Sequence, residues 1–124
     1  MKSIKRYYKL NALPEDIYNA ITNQVMLEIW TGEKNEFKAE ENSEFSLWDG
    51  SIVGKNIKLE KDKLIQQIWY FDEIESLVTI KLHPSGDSTS VELRHENIPD
   101  EAYENISDGW DEDYFDALIE LFND

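Results

Sequence analysis

The sequence predicts an α+β domain: a curved antiparallel sheet of about six to seven strands, two short helices after the first strand, and a long C-terminal helix. Three observations predict it. Residues 4–10 alternate between apolar and polar side chains, and two short apolar stripes at helical spacing follow directly. From residue 35 to residue 96 the period is two, and it returns to helical spacing at the end of the chain.

In the first strand, Ile4, Tyr8 and Leu10 oppose Lys5, Tyr7 and Lys9. Pro14-Glu15-Asp16 then starts a helix, with proline in the first turn and acids at the positive end of the dipole. Ile17, Ala20 and Ile21 form its apolar stripe; Val25, Ile29 and Trp30 mark a second helix, ended by Gly32. Glu36-Phe37-Lys38 reads as a short strand. In "FSLWDGSIVGKN", Phe45 and Leu47 alternate with Ser46 and Trp48, and Asp49-Gly50 is the two-residue signal of a hairpin. Gly54 lies inside the next strand, where a missing side chain lets the sheet bend or the long helix approach. Lys61-Asp62 turns the chain into residues 64–70. Val78, Ile80 and Leu82 form a further strand, residues 84–87 turn it, and Thr89, Val91, Leu93 and His95 alternate in the last.

Pro99-Asp100-Glu101 opens a turn or short helix that Asp108-Gly109 interrupts. Trp110 then begins an amphipathic helix with Tyr114, Ala117, Leu118 and Leu121 on one face. No repeat or linker is visible, so residues 1–124 are expected to be one domain.

Composition narrows the function. The net charge is −15, with four basic residues and no acid between positions 2 and 9, and eleven acids and no Lys or Arg from position 95 onward. Such acidity argues against nucleic-acid binding, which needs basic side chains to displace counterions. It fits a solvated face or a basic protein partner. The sequence has no cysteine, and no apolar run approaches the roughly 20 residues of a membrane span. The N-terminus has no apolar leader core, so a cytoplasmic protein without membrane insertion is expected.

Catalytic and metal-binding patterns are missing from the sequence. His83 and His95 sit at separate strand ends without a converging nucleophile, and His95 shares a face with Val91 and Leu93, as a core histidine does. A calcium-loop reading of residues 104–115 fails, because Ile106 and Phe115 stand where oxygen ligands belong. Asn105-Ile106-Ser107 matches a glycosylation acceptor but lacks a secretion signal. Gln67 alternates with Ile65 and Trp69, and Asn56 is similarly placed. These amides are either structural or a polar spot in an apolar wall.

"LPEDIYNAIT", "FSLWDGSIVGKN", "LIQQIW", "VELRHENIPDE" and "DGWDEDYFDALIEL", in that order and spacing, resemble the START-like (SRPBCC) superfamily and its helix-grip fold. Within it they look most like domains homologous to the C-terminal domain of the heat-shock-protein ATPase activator. The resemblance implies a sheet wrapped around the last helix, often with a cavity between them. Its expected walls are Trp48, Ile65, Gln67, Trp69, Ile80, Val91, His95 and Tyr114, with Trp48 either packing at the rim or standing at the mouth. A non-enzymatic domain binding a small hydrophobic ligand there, with no cofactor, is the first reading. A protein-interaction domain that modulates a heat-shock chaperone ATPase is the alternative. An enzyme, as some START-like relatives are, has no candidate catalytic residues.

Overall fold

The computed structural model describes residues 1–123. The first alternating segment forms β1 (Lys2–Leu10), followed by α1 (Pro14–Thr22) and α2 (Gln24–Thr31). Proline at the start of α1, with Glu15 and Asp16 in its first turn, suits the unpaired amides there. Asn23 caps α2 by accepting from the Met26 amide at 3.0 Å, and Gly32 closes it at φ 71°. Five strands then form a meander: β2 (Glu44–Leu47), β3 (Ile52–Glu60), β4 (Leu64–Phe71), β5 (Ile74–Ser85) and β6 (Ser88–Ile98). With β1 they make one antiparallel sheet in the order β1-β6-β5-β4-β3-β2. Residues 36–38 contribute only a single bridge, Glu36 to Ser46, so the sheet has six strands.

The β2–β3 hairpin turns as its sequence demands. Asp49 and Gly50 have φ 53° and 93°, and the Ser51 amide bonds back to the Trp48 carbonyl at 3.1 Å. Trp48 also sits at positive φ, 49°, unusual for a bulky residue. Buried Asn35 holds it there: Oδ1 accepts from the Trp48 amide at 3.0 Å while Nδ2 donates to Thr31 Oγ1 and the Glu33 carbonyl.

The C-terminal helix is continuous. A 3₁₀ turn (Asp100–Ala102) leads into α3 (Tyr103–Gly109), a π-helical stretch (Trp110–Phe115) and α4 (Asp116–Leu121). Gly109 does not interrupt it; its φ of −62° and ψ of −38° are helical. Glycine's cost inside a helix, about 1 kcal/mol, is outweighed by the burial of Trp110 and Tyr114 immediately after it. In the π-helical stretch the Asp116 amide bonds to the Asp111 carbonyl, five residues back, and the wider turn sends Trp110, Tyr114 and Phe115 all inward.

The core lies between the concave face of the sheet and the helices. Ile65, Val78, Ile80, Val91 and Leu93 from the strands, Ile17 and Ile21 from α1, and Phe115 and Leu118 from the C-terminal helix are buried. Two expectations shift. In α2 it is Leu27 and Trp30 that are buried, while Val25 and Ile29 are exposed, because Trp30 Nε1 donates to the Ala20 carbonyl at 2.8 Å and fixes the helix rotation. Gly54 makes room for its own sheet rather than for the long helix. A Cβ there would overlap the Ile68 carbonyl oxygen and lie 2.5 Å from Phe45 Cζ.

The uneven charge also finds a structural use. β1 lies against the acidic C-terminal helix: Arg6 pairs with Asp111 at 3.0 Å and donates to the Ser107 carbonyl at 2.8 Å. Tyr8 donates to Asp111 Oδ1 at 2.6 Å and stacks on Phe115 at 4.0 Å. Burial and the bond to Asp111 push the Tyr8 phenol up to about 12.

Candidate functional site: an aromatic groove beside the C-terminal helix

Two polar chains run through the interior under the C-terminal helix. Asn56 and Gln67 are cross-strand partners, and a bulge just beyond Asn56 shifts the register of the pairing. Gln67 Nε2 donates to Asn56 Oδ1 at 3.0 Å, Trp69 Nε1 donates to Gln67 Oε1 at 2.9 Å, and Asn56 Nδ2 donates to the Lys38 carbonyl at 3.1 Å. The second chain centres on His95. Trp110 Nε1–H can only donate, so His95 Nδ1 accepts at 2.9 Å and the proton resides on Nε2. Nε2–H then faces Ser76 Oγ at 2.8 Å, and Ser76 donates to the Trp69 carbonyl at 2.8 Å. Burial among uncharged groups lowers the His95 pKa to about 4, so the ring is neutral near pH 7. Among the described residues every fully buried side-chain nitrogen and oxygen has a partner. These groups orient one another and the two tryptophans, which stack at 4.6 Å between centroids and 18° between planes.

The open space lies one layer outward. A solvent-open groove of about 700 Å³ runs between the end of α2 (Thr31, Glu33), the β2–β3 hairpin (Trp48, Asp49, Ser51, Ile52), Trp69, and the flank of the C-terminal helix bearing Asn105, Ile106, Gly109, Trp110, Asp113 and Tyr114. Trp48 lies 6.2 Å edge-on to Trp30 and 6.0 Å from Tyr114, which lies 4.7 Å from Trp110. All four tryptophans of the chain belong to this linked aromatic set.

Tyr114 is 2% exposed, and burial alone acts on its phenol, with no hydrogen bond to it among the described residues. Every fully buried side-chain oxygen among the described residues has a partner, so the hydroxyl keeps some contact with solvent, and Tyr114 lines the groove. Burial raises its pKa, keeping the phenol protonated. Glu33, Asp49 and Asp113 stand at the rim without a salt-bridge partner among the described residues, and no Lys, Arg or His lines the groove.

Of the eight residues expected to wall a cavity, Trp48, Trp69 and Tyr114 line this groove. Ile65, Gln67, Ile80, Val91 and His95 are buried in the packed core and do not line it, although Gln67 and His95 bond to Trp69 and Trp110. Sequence reasoning missed Gly109, Trp110, Asp113 and Ile106, because Asp108-Gly109 carries the residues of a helix break. Their signal was the i, i+4 spacing of Ile106 with Trp110 and of Gly109 with Asp113 along one flank. No group of His, Asp and Glu among the described residues is arranged to hold a metal ion, and no helix is long and apolar enough to cross a membrane.

Comparison with known proteins agrees with this architecture. The model of the family described as "Activator of Hsp90 ATPase homolog 1-like protein" matches residues 11–123. An activator of 90 kDa heat shock protein ATPase homolog from Dictyostelium discoideum is 32% identical over 98% of this chain, covering 33% of its own length. A mouse activator homolog 1 is 23% identical over 88% of the chain and 33% of its own length. The chain therefore spans about a third of these curated relatives. The crystal structure of an HSP90 activator from Plasmodium falciparum superposes with a TM-score of 0.91 at 24% identity, covering 98% of this chain and 96% of that one. With the sheet, the paired short helices and the long C-terminal helix in place, the chain belongs to the Activator of Hsp90 ATPase homolog 1-like family, a START-like domain family.

Proposed function

We propose that this domain works without chemistry of its own, by docking on an Hsp90-type chaperone and modulating its ATPase. The observation that carries the reading is the 32% identity, over nearly the whole chain, to a relative named as an activator of that ATPase. The packed interior agrees with it, since the polar groups under the helix bond to each other and the free surface is an open groove. The acidic C-terminal helix adds a long-range attraction for a basic partner surface, screened beyond about 8–10 Å at physiological salt. Calorimetric titration of the full-length chaperone, alongside its ATPase rate, tests the reading. Saturable binding that weakens from 50 to 300 mM salt and changes the ATPase rate is expected. No binding and no change in rate would refute it, and an affinity indifferent to salt would leave the acidic face as a solubility device.

A second reading, a small and mostly hydrophobic ligand, is favoured by one observation: the unpartnered Tyr114 hydroxyl beside about 700 Å³ of aromatic-walled space. Trp48, Trp69 and Tyr114 would contact such a ligand, with Gln67 and His95 holding Trp69 from the core side and Ile65, Ile80 and Val91 packed in the core. Native mass spectrometry of untreated protein decides it, through an adduct that denaturation removes.

A further inference from the structure

Three properties of the groove, taken together, select one kind of occupant. Its wall is aromatic: Trp48 is partly exposed, buried Trp69, Trp110 and Tyr114 stand behind it, and a tryptophan ring face attracts cations through its quadrupole. Its rim carries the three carboxylates of Glu33, Asp49 and Asp113, which among the described residues have no salt-bridge partner and no basic side chain beside them in the groove. Its floor includes Tyr114, a residue 2% exposed whose hydroxyl has no hydrogen-bond partner among the described residues and can accept one. A phosphate or carboxylate would meet like charge at the rim, and a wholly apolar group would leave the hydroxyl unsatisfied.

We propose that the groove takes a cationic side chain with an aliphatic stem, an arginine or lysine presented by a loop of the partner protein. The stem lies against Trp48, the charged head reaches the Tyr114 oxygen, and Asp113 and Glu33 flank it. A protein loop is favoured over a free amine because the space, about 700 Å³ and open to solvent, is far larger than one ammonium group. The inference rests on the docking reading above for the identity of the partner, but the chemistry of the groove can be tested separately.

The first measurement is a tryptophan-fluorescence titration with the peptide acetyl-Leu-Arg-Leu-amide and its twin carrying citrulline, the neutral isostere of arginine. A saturable change is expected, at least tenfold weaker for citrulline and severalfold weaker in Asp113→Asn, Glu33→Gln and Tyr114→Phe. Equal binding of both peptides, or saturation by neither, overturns the assignment. The second measurement uses Gly109→Leu to fill the groove. Gly109 is already helical, and the nearest atom to an added Cβ is Asp113 Oδ2 at 3.8 Å, so the variant should fold, as circular dichroism checks. It should lose the peptide and bind the full-length chaperone at least tenfold more weakly. If Gly109→Leu docks as well as the wild type, the groove is not where the partner binds and this inference fails while docking stands. If the wild type itself does not dock, the docking reading fails and the partner named here falls with it.

Discussion

Buried His95 should make the protein lose stability in mild acid, by an amount the structure sets. The ring is fully buried, bonded to Ser76 and Trp110, and flanked by the rings of Trp69 and Phe71, none of them charged. Protonating Nδ1 would also set an N–H against the Trp110 N–H. The folded-state pKa is about 4, against roughly 6.5 in the unfolded chain. The unfolded state therefore binds the proton first. The stability tied to the neutral ring is complete above pH 6.5 and is lost as the pH falls towards 4. Between pH 7.5 and pH 5 that loss is about 2 kcal/mol, from about 1.4 kcal/mol per pH unit over 1.5 units below 6.5. Urea unfolding at half-unit steps measures it, with His95→Gln as control, since Gln can still accept from Trp110 but cannot titrate. His83 is present in both proteins. The wild type should lose about 2 kcal/mol more than His95→Gln over this range; parallel pH profiles would refute the assignment.

Three further substitutions probe the packing. Gly54→Val should destabilise by about 3 kcal/mol, because its side chain meets the Ile68 carbonyl and the Phe45 ring; an unchanged urea midpoint would remove the steric role. Gln67→Leu should cost about 2 kcal/mol by leaving Trp69 Nε1–H and Asn56 Oδ1 unpaired, visible in the same denaturation assay. Leu118→Asp places a carboxylate at a fully buried site on the C-terminal helix and should abolish cooperative unfolding, through a penalty of several kcal/mol; wild-type thermal stability in that variant would contradict the docking of the helix.

The sheet was legible because one face is buried and the other is wet, which writes period two into Ile65-Gln67-Trp69 and Val91-Leu93-His95. The Asp49-Gly50 turn was legible because few residues accept positive φ. What was hidden depends on neighbours distant in the chain. The rotation of α2 is set by the Trp30 bond to Ala20, not by its own apolar residues. Whether Gln67 faced a ligand or another amide turned on Asn56, which pairing across strands supplies. The lopsided charge, read as a solvated face or a partner site, is partly internal: Arg6 reaches Asp111 across the fold. The groove itself combines α2, a hairpin and the last helix, which no single segment can announce.

The π-helical stretch has a consequence for chain length. An ordinary α-helix places one residue every 100° or so, which would set Phe115 well away from Trp110, yet both are buried. Structurally, residues 110–115 behave as an α-helical turn that has taken in one amino acid too many. Removing a single codon is normally ruinous in a packed helix, because everything downstream swings to a different face. Here the loss of solvent-facing Glu112 should relax the pitch to that of an α-helix while Trp110, Tyr114, Phe115 and Leu118 keep to one side. Taking out Ala117 instead should throw Leu118 off the core, so tolerance to shortening should be confined to this one turn.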